Sequence, residues 1–295
     1  MTATPASLID QRTGLGIAMM LVAWAFFSMT DTSVKWLVLA GIPAMQLAFM
    51  RYAVSLVLSF GNGLVRGEMV QTLPRRDMVL LVVRGALLAV ATLLNFIALN
   101  YLPLSVTSAI MNSSPILVTL LAVPLLGEKV GIWRLSAVIV GFAGVLIVIR
   151  PFGADFHWAT LLILANAFGL ALFSILTRKL SGHVTPQTMQ IVMGVVGTVL
   201  LLPGVLLTWI TPTTLFDWAI LIGVGLWAWI GHEIFSRAHQ HAEANILMPF
   251  SYSFILYLTV SGYVVFGTVP DNWTLIGAAT IVGSGLIIWW RETAR

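Results

Sequence analysis

Long apolar runs, separated by short stretches that contain Pro, Gly or charged residues, dominate the chain. A helix needs about 20 apolar residues to cross a bilayer, and runs bounded in this way predict spanning helices. Ten such runs are present, at residues 14–40, 44–65, 78–100, 105–126, 131–150, 157–178, 186–210, 216–237, 244–267 and 272–290. We therefore predict an all-α integral membrane protein with ten transmembrane helices.

The composition supports this class. The 295 residues are 59% hydrophobic and 9% charged, with a mean hydropathy of +0.99, whereas soluble domains have about 25% charged residues. The net charge of +4 is explained by Lys and Arg in cytoplasmic loops rather than by nucleic-acid binding. The sequence has no Cys, which excludes disulfides, thiolate metal sites and a Cys nucleophile.

Ten helices would place most basic residues on one side of the membrane. That side receives Arg12, Arg66, Arg75, Arg76, Lys129, Arg134, Arg178, Lys179, Arg237, Arg291 and Arg295, whereas Arg150 falls on the other side. Because positive loops stay in the cytoplasm, we expect a multi-pass protein of the bacterial inner membrane with both termini cytoplasmic. Most Trp residues fall near helix ends, as in an aromatic belt, and Trp24, Trp227 and Trp229 lie deeper.

Two segments 140 residues apart resemble each other. They are "GEKVGIWRLSAVIVGFAGVLIVI" (Gly127 to Ile149) and "GTVPDNWTLIGAATIVGSGLIIW" (Gly267 to Trp289). Each segment closes a block of five helices, and five is odd, so the second block must enter the membrane in the opposite sense. We expect residues 1–150 and 151–295 to be two inverted five-helix repeats, a plan that places a transporter's substrate near the midplane between the halves.

Longer motifs carry a family resemblance. They include "ALNYLPLSVTSAIMNSSPILV" (Ala98 to Val118), "LLGEKV" (Leu125 to Val130) and "ANILMPFSYSFILYLTVSGYVVFGTVPD" (Ala244 to Asp271). With these motifs the chain resembles the drug/metabolite transporter superfamily, in the ten-helix form made of two EamA-type repeats. It departs from the usual FGExPD pattern of that family, because Thr268 stands where the Glu would be.

The resemblance implies passive or gradient-driven movement of small metabolites by alternating access through a central cavity, with no cofactor. Bacterial exporters of aromatic and other amino acids are the most similar members. We therefore expect export of small amphipathic metabolites, most specifically amino acids including aromatic ones. The alternative within this class is uptake of S-adenosylmethionine or a related nucleotide metabolite. The expected partners are the small-molecule substrate and membrane lipid, without nucleic acid.

Two readings from other classes are an intramembrane hydrolase and a passive channel. The stretch "HEIFSRAHQH" is close to the zinc-protease motif His-Glu-x-x-His, but Ser236 stands where the second His is required. A hydrolase would have to rely on His232 and Glu233. We predict no enzyme, no catalytic residue and no metal site.

One face of the first helix combines aromatic and polar residues. Helical spacing puts Trp24, Phe27, Ser28, Asp31 and Lys35 on a single stripe. Charged residues inside a span almost always face the bundle interior or water, so we expect the stripe to face inward. It is either a wall for an amphipathic substrate or a helix-packing face.

Asp31, Lys35 and Arg51 form a predicted charge cluster. Asp31 and Arg51 are each ten residues from the turn at Gly41, which places both about 15 Å below that turn. A clamp or gate in which the charges pair with one another is the first interpretation, because buried ions need partners. Proton coupling and recognition of a substrate carboxylate are the alternatives.

The eighth predicted helix places Trp229, His232 and Glu233 on one face and Trp227 on the other. We expect Trp229 to line the cavity, so that Trp229→Ala impairs transport more than Trp227→Ala. His232 and Glu233 either move protons or bind a substrate ammonium, or they are simply hydrated near the helix end.

Three other helices offer polar candidates for the cavity. They are Asn95 in the third helix, Ser108 and Asn112 in the fourth, and Tyr252 in the ninth. Each could bond a substrate, or make an interhelical contact. Pro115, which follows Asn112, should disturb the backbone hydrogen bonding of its helix.

Overall fold

A computed structural model describes residues 13–68, 70–126, 132–150, 153, 156–180, 183–241 and 247–293. Arg12, Lys129 and Arg295, which entered the charge distribution, lie outside these residues. The described part of the chain contains helices and no β-strand. The helices are α1 (Thr13–Leu39), α2 (Ala44–Arg66), α3 (Arg75–Leu99), α4 (Leu104–Met111), α5 (Ser114–Leu126), α6 (Ile132–Ile149), α7 (Ala159–Leu180), α8 (Pro186–Thr208), α9 (Leu215–His241), a 3₁₀ helix (Met248–Tyr252), α10 (Ser253–Phe266) and α11 (Asn272–Thr293).

Ten apolar crossings can be traced through these helices. By length and composition, α1, α2, α3, α7, α8 and α9 are each able to span a membrane. Four shorter apolar segments, Leu104–Val118, Leu135–Ile149, Phe250–Phe266 and Asn272–Ile287, supply the other four. The prediction of an all-helical membrane protein with ten helices is confirmed.

The fourth and ninth crossings are interrupted. In the fourth, α4 ends at Met111 and α5 begins at Ser114. Pro115 has no N–H to offer the Met111 carbonyl, as the sequence predicts, and the Ser114 hydroxyl donates to that carbonyl instead, at 2.8 Å. The ninth crossing begins with a 3₁₀ helix that contains Pro249. Both predicted halves therefore break in their fourth crossing.

The main helix pairs follow the symmetry that two five-crossing repeats would have. α1 packs on α9 and α3 on α7, which pairs crossing 1 with 8 and crossing 3 with 6. α2 packs on α8 and α6 on α11, which pairs crossing 2 with 7 and crossing 5 with 10. Exchanging every crossing with the one five positions away leaves this set of pairs unchanged.

Two glutamines follow the same exchange. Near the start of α2, the Gln46 amide donates to the Ile210 carbonyl after α8 and accepts from the Ile210 N–H, both at 2.9 Å. Near the start of α8, the Gln187 amide donates to the Ser59 carbonyl of α2 at 2.6 Å. This reciprocity supports the division into two inverted repeats, which stays a prediction.

We call the side on which α1 begins and α11 ends the terminal side, and the opposite side the far side. Arg66, Arg75, Arg178 and Lys179 lie at helix ends on the terminal side. On the far side, Arg150 forms an ion pair with Asp271, with 2.6 Å between Nη2 and Oδ2. The prediction that both termini are cytoplasmic depends on this excess of Lys and Arg on the terminal side.

Candidate functional site

The face of α1 that was predicted to point inward does so. Val22, Met29 and Trp36, spaced by seven residues, are 40–46% exposed along the lipid side of α1. Asp31 and Lys35 are each 6% exposed, and Ser28 is also buried. The polar stripe therefore faces the other helices, and Trp24 and Phe27 are partly buried beside it.

An aromatic cage lies where α1 meets α9 and α10. It consists of Trp24 and Phe27 from α1, Phe235 from α9 and Phe254 from α10. The Trp24 ring centroid lies 5.4 Å from that of Phe27, 6.4 Å from that of Phe235 and 5.3 Å from that of Phe254. Edge-on and tilted contacts at these distances are the favourable arrangement for aromatic rings.

A glycine allows Phe27 to lie directly on the α9 backbone. A β-carbon at Gly231 would stand 2.7 Å from the Phe27 ring, closer than carbon atoms pack. One residue later, the His232 ring meets Phe27 edge-on, with 4.9 Å between centroids. Gly231 and His232 therefore both lie against the same phenyl ring.

Two polar atoms of this region have no hydrogen-bond partner. They are the indole Nε1 of Trp24 and the imidazole Nε2 of His232, and both are buried. Buried polar groups are nearly always bonded in proteins. The cage therefore combines an apolar, aromatic lining with a fixed N–H donor and a ring nitrogen, as small-molecule sites do.

Asp31 lies towards the far side of the cage and binds Asn95. The Asn95 side-chain N–H₂ donates to both carboxylate oxygens, at 3.3 and 3.2 Å. The amide oxygen of Asn95 is buried without a partner. The structure thus brings together two predicted site residues from α1 and α3.

Lys35 attaches α1 to the end of α3. Its ammonium donates to the carbonyls of Leu99 at 3.0 Å and Leu102 at 2.7 Å. The last carbonyls of a helix have no intrahelical partners and carry the negative end of the helix dipole, so they stabilise a cation. The ammonium also lies 5.7 Å from the centre of the Phe266 ring.

Arg51 binds neutral hydroxyl groups. Its guanidinium donates to the Tyr52 hydroxyl at 3.0 Å and to the Thr92 hydroxyl at 2.6 Å. The expectation that Asp31, Lys35 and Arg51 pair with one another is therefore corrected. The three charges lie in one region, but each binds a neutral group instead of another charge. Asp31 binds an amide of α3, Lys35 binds backbone carbonyls at and after the end of α3, and Arg51 binds hydroxyls of α2 and α3.

Arg84 is a buried cation that was not among the predicted site residues. It is 7% exposed, and its Nε donates to the Thr177 hydroxyl at 2.6 Å. The guanidinium carbon lies 4.1 Å from the centre of the Phe173 ring. No carboxylate of the described residues is within ion-pair distance of Arg84. The available signal was an Arg more than one turn inside the predicted span 78–100.

Ser108 and Asn112 bond within their own helix. The Ser108 hydroxyl donates to the Ser105 carbonyl at 3.0 Å, and the Asn112 amide donates to the Ser108 carbonyl at 2.8 Å. Both side chains are buried at the break between α4 and α5. Their donors therefore stabilise the interrupted crossing.

Tyr252 packs against α11. Its hydroxyl occupies the position that a β-carbon of Gly285 in α11 would take. The missing side chain at position 285 thus leaves room for the tyrosine between the ninth and tenth crossings, and a contact of Tyr252 with the cavity stays a prediction.

Glu233 is held by two arginines on the terminal side. Its Oε1 accepts from Arg66 of α2 at 3.0 Å and from Arg237 of α9 at 2.9 Å. These two ion pairs link α2 and α9 through Glu233, and its suggested coupling role stays a prediction. Trp229 is partly buried, one turn before His232 on α9, and its contact with a substrate stays a prediction.

Residues 14–150 match the model of the EamA-like transporter family. These residues form a domain of the EamA family, within the drug/metabolite transporter superfamily. The chain is also similar along its length to bacterial transporters. It is 29% identical to the riboflavin transporter of Vibrio cholerae, covering 95% of this chain and 94% of the relative.

Two further relatives carry other solutes. The pseudopaline exporter of Pseudomonas aeruginosa is 26% identical, over 90% of this chain and 93% of the relative. The S-adenosylmethionine uptake transporter of Rickettsia bellii is 26% identical, over 94% of both chains. A solved crystal structure superposes with a TM-score of 0.65 at 18% identity, covering 94% of this chain and 95% of the other, which supports the fold alone. The relatives named here thus all transport small metabolites.

Proposed function

We propose that this protein is a secondary transporter for a small metabolite with a planar aromatic ring, and that riboflavin is the first solute to test. The carrying observation is the aromatic cage with its two unpartnered polar atoms, Trp24 Nε1 and His232 Nε2. Apolar walls with a few fixed polar groups bind such a ring and orient it.

Riboflavin has the chemistry that this cage would select. Its ring system is flat and apolar on both faces, and its edge carries carbonyl and ring-nitrogen atoms that accept hydrogen bonds. The Trp24 indole could donate to such an edge, and Phe27 and Phe254 lie close enough to Trp24 to contact the faces. Riboflavin transporters of Vibrio cholerae and Brucella anthropi, each 29% identical to this chain, support the choice.

Aromatic amino acids are the second candidate. The observation in their favour is Arg51, a guanidinium that binds the hydroxyls of Tyr52 and Thr92 and is paired with no described carboxylate. An Arg in this setting is suited to a substrate carboxylate. The sequence motifs favour export of such amino acids, although the names of the relatives do not support that choice specifically.

The expected mechanism is alternating access between two inverted repeats. The paired packing of α1 with α9 and of α3 with α7 supports a division near residue 150. The cage is formed by one helix of the first repeat and two of the second, as a binding site between repeats requires. The basic helix ends on the terminal side support a cytoplasmic location for both termini in a bacterial inner membrane.

Counterflow in liposomes tests the function directly. Purified full-length protein is reconstituted into vesicles loaded with unlabelled riboflavin, and entry of labelled riboflavin is followed; tryptophan is tested in the same way. Trp24→Ala should abolish most riboflavin counterflow, whereas Trp36→Ala, an exposed Trp of the same helix, should retain it. Tryptophan exchange without riboflavin exchange would favour the second candidate.

Three other results would exclude the proposal. Exchange of neither aromatic solute by correctly folded protein would contradict an aromatic substrate. Solute flux far above the turnover of a transporter, without counterflow, would indicate a channel. A cleaved product recovered from the vesicles would indicate an intramembrane hydrolase.

A further inference from the structure

Asp31 is the one described carboxyl group that is buried inside the bundle. A carboxylate can accept about four hydrogen bonds, and Asp31 receives bonds from a single neutral group, the Asn95 amide, at 3.2 and 3.3 Å. A charge so poorly compensated inside a membrane span is costly. Asp31 therefore needs either a stronger partner or a way to become neutral.

Asn95 offers what a neutral carboxyl group requires. A carboxamide has a donor N–H₂ and an acceptor oxygen side by side, and Asn95 uses the donor while its acceptor Oδ1 is buried without a partner. An ionised carboxylate has no proton to donate to that oxygen. A protonated carboxyl group does, and the acid and the amide can then form two complementary hydrogen bonds after a small rotation. Leaving a buried acceptor unsatisfied is unfavourable, so this arrangement favours the protonated acid.

The other charged and titratable groups of this region bond elsewhere. The Arg51 guanidinium of α2 is bonded to Tyr52 and Thr92. Lys35, one turn along α1, is bonded to carbonyls at and after the end of α3. From α9, the titratable His232 packs on Phe27, and α10 carries the tyrosines Tyr257 and Tyr263. None of these groups is hydrogen-bonded to Asp31.

A groove lies on the far side of this pair. It has a volume of about 310 Å³, opens at the far-side ends of α1, α2 and α3, and is lined by Val38, Ile97, Asn100 and Tyr101 among others. Asp31 and Asn95 do not line it. Val38 lies seven residues beyond Asp31 on α1, so the groove ends roughly two helical turns from the pair.

We propose that Asp31 and Asn95 form a proton-binding site and that proton binding there is coupled to solute movement. A proton from the aqueous phase binds one oxygen of Asp31, the site changes from −1 to neutral, and the new O–H donates to Asn95 Oδ1. Release of the proton restores the carboxylate. The carboxyl–amide pair takes the coupling role that the sequence analysis considered for Glu233.

Infrared difference spectroscopy tests proton binding without any solute. Purified full-length protein in lipid is compared at alkaline and acidic pH, and the carbonyl stretch of a protonated carboxyl group is followed. Wild-type protein and Glu233→Gln should both show the band of a buried acid on acidification. Asp31→Asn should lack that band, and Asp31→Glu should regain it at a shifted position.

A folded Asp31→Asn protein that keeps the full band, or a wild-type protein without it, would overturn the proton site. If Asp31→Asn does not fold, Asn95→Leu provides the second measurement: removing the amide should shift the frequency and midpoint of the band, and an unchanged band would contradict the pairing.

Transport tests the coupling, and this part rests on the proposed function. A pH gradient across the vesicle membrane should change riboflavin accumulation by wild-type protein and by Glu233→Gln, and should have no effect with Asp31→Asn. If wild-type protein moves neither riboflavin nor tryptophan, the substrate proposal fails while the infrared result stands. If Asp31→Asn responds to the gradient like wild-type protein, coupling at this site is wrong.

Discussion

Lys35→Met should destabilise the protein, because it removes the donor for two carbonyl groups at the end of α3. Lys35 is 6% exposed, and its ammonium lies 3.0 Å from the Leu99 oxygen and 2.7 Å from the Leu102 oxygen. Methionine has a similar length and packs equally well against Phe266, but it cannot donate a hydrogen bond. The substitution therefore isolates the polar contribution of the side chain.

The expected loss follows from the two carbonyls. Each buried acceptor that loses its partner costs about 1–3 kcal/mol, and loss of a cation at a helix C-terminus costs about 0.3–1 kcal/mol more. Removing the ammonium also removes its desolvation cost, which is several kcal/mol for a fully buried ion and smaller at a helix end near the membrane surface. A net destabilisation of about 2 kcal/mol remains, which corresponds to a fall in Tm of roughly 4–8 °C for a protein somewhat smaller than this one.

Thermal unfolding of detergent-purified protein, followed by size-exclusion chromatography after heating, measures this change. Lys179→Met is the matched control, since Lys179 is exposed in the last turn of α7 and its loss should leave Tm nearly unchanged. A Lys35→Met protein that is as stable as wild type but inactive in counterflow would refute the structural role. Lys35 would then contact the solute or gate its passage.

Three further predictions address other contacts. Arg84→Met should leave Tm unchanged or raise it, because the Thr177 hydroxyl keeps its bond to the Phe173 carbonyl and replacing a buried charge by an apolar side chain is often neutral or stabilising by about 1–4 kcal/mol; a large fall in Tm would contradict this. Gly231→Ala should cost about 1–3 kcal/mol and reduce transport, because the added carbon lies 2.7 Å from Phe27, whereas Gly61→Ala, with open space around it, should be tolerated. The Asp271 pKa lies below 3.8, because hydrogen bonds and the neighbouring guanidinium outweigh the effect of burial; its contribution to stability should therefore be complete above that pH and be lost as pH falls through the lower value. Asp271→Asn should remove this acid dependence in a series of Tm measurements, and an unchanged dependence would contradict the assignment.

The helices were predictable because the membrane imposes a single rule on them. Apolar runs of about 20 residues must be helical when no water is present to satisfy the backbone, so runs such as 44–65 and 272–290 became Ala44–Arg66 and Asn272–Thr293 with small shifts at their ends. The inward direction of the α1 stripe followed from the cost of exposing Asp31 to lipid. The helix positions and the inward face of α1 each depend on the residues of one segment, and the sequence of that segment is sufficient to predict them.

The partners of the buried charges were not predictable in the same way. Lys35 binds the backbone carbonyls of Leu99 and Leu102, and a sequence gives no sign of which carbonyl will be free and close. The predicted pairing of Asp31 with Arg51 considered only charged side chains, because a sequence shows these but does not show which backbone or neutral groups lie beside them. The position of Tyr252 depended on the absent side chain of Gly285, a relation between two helices that periodicity within one helix cannot reveal.

The buried charges have one element in common, which is α3 and the segment that follows it. Arg84 belongs to α3, Arg51 binds one of its threonines, Asp31 binds its Asn95, and Lys35 binds carbonyls at and just beyond its end. α1 is attached to α3 through Asp31 and Lys35, and it also supplies Trp24 and Phe27 to the cage against α9. Any movement of α1 relative to α3 must therefore change the cage and the Asp31–Asn95 bonds together. Protonation strengthens those bonds by adding a donor, so it would favour the arrangement in which α1 is held against α3. A change of charge at Asp31 can thus act on the aromatic cage without a direct contact between proton and solute.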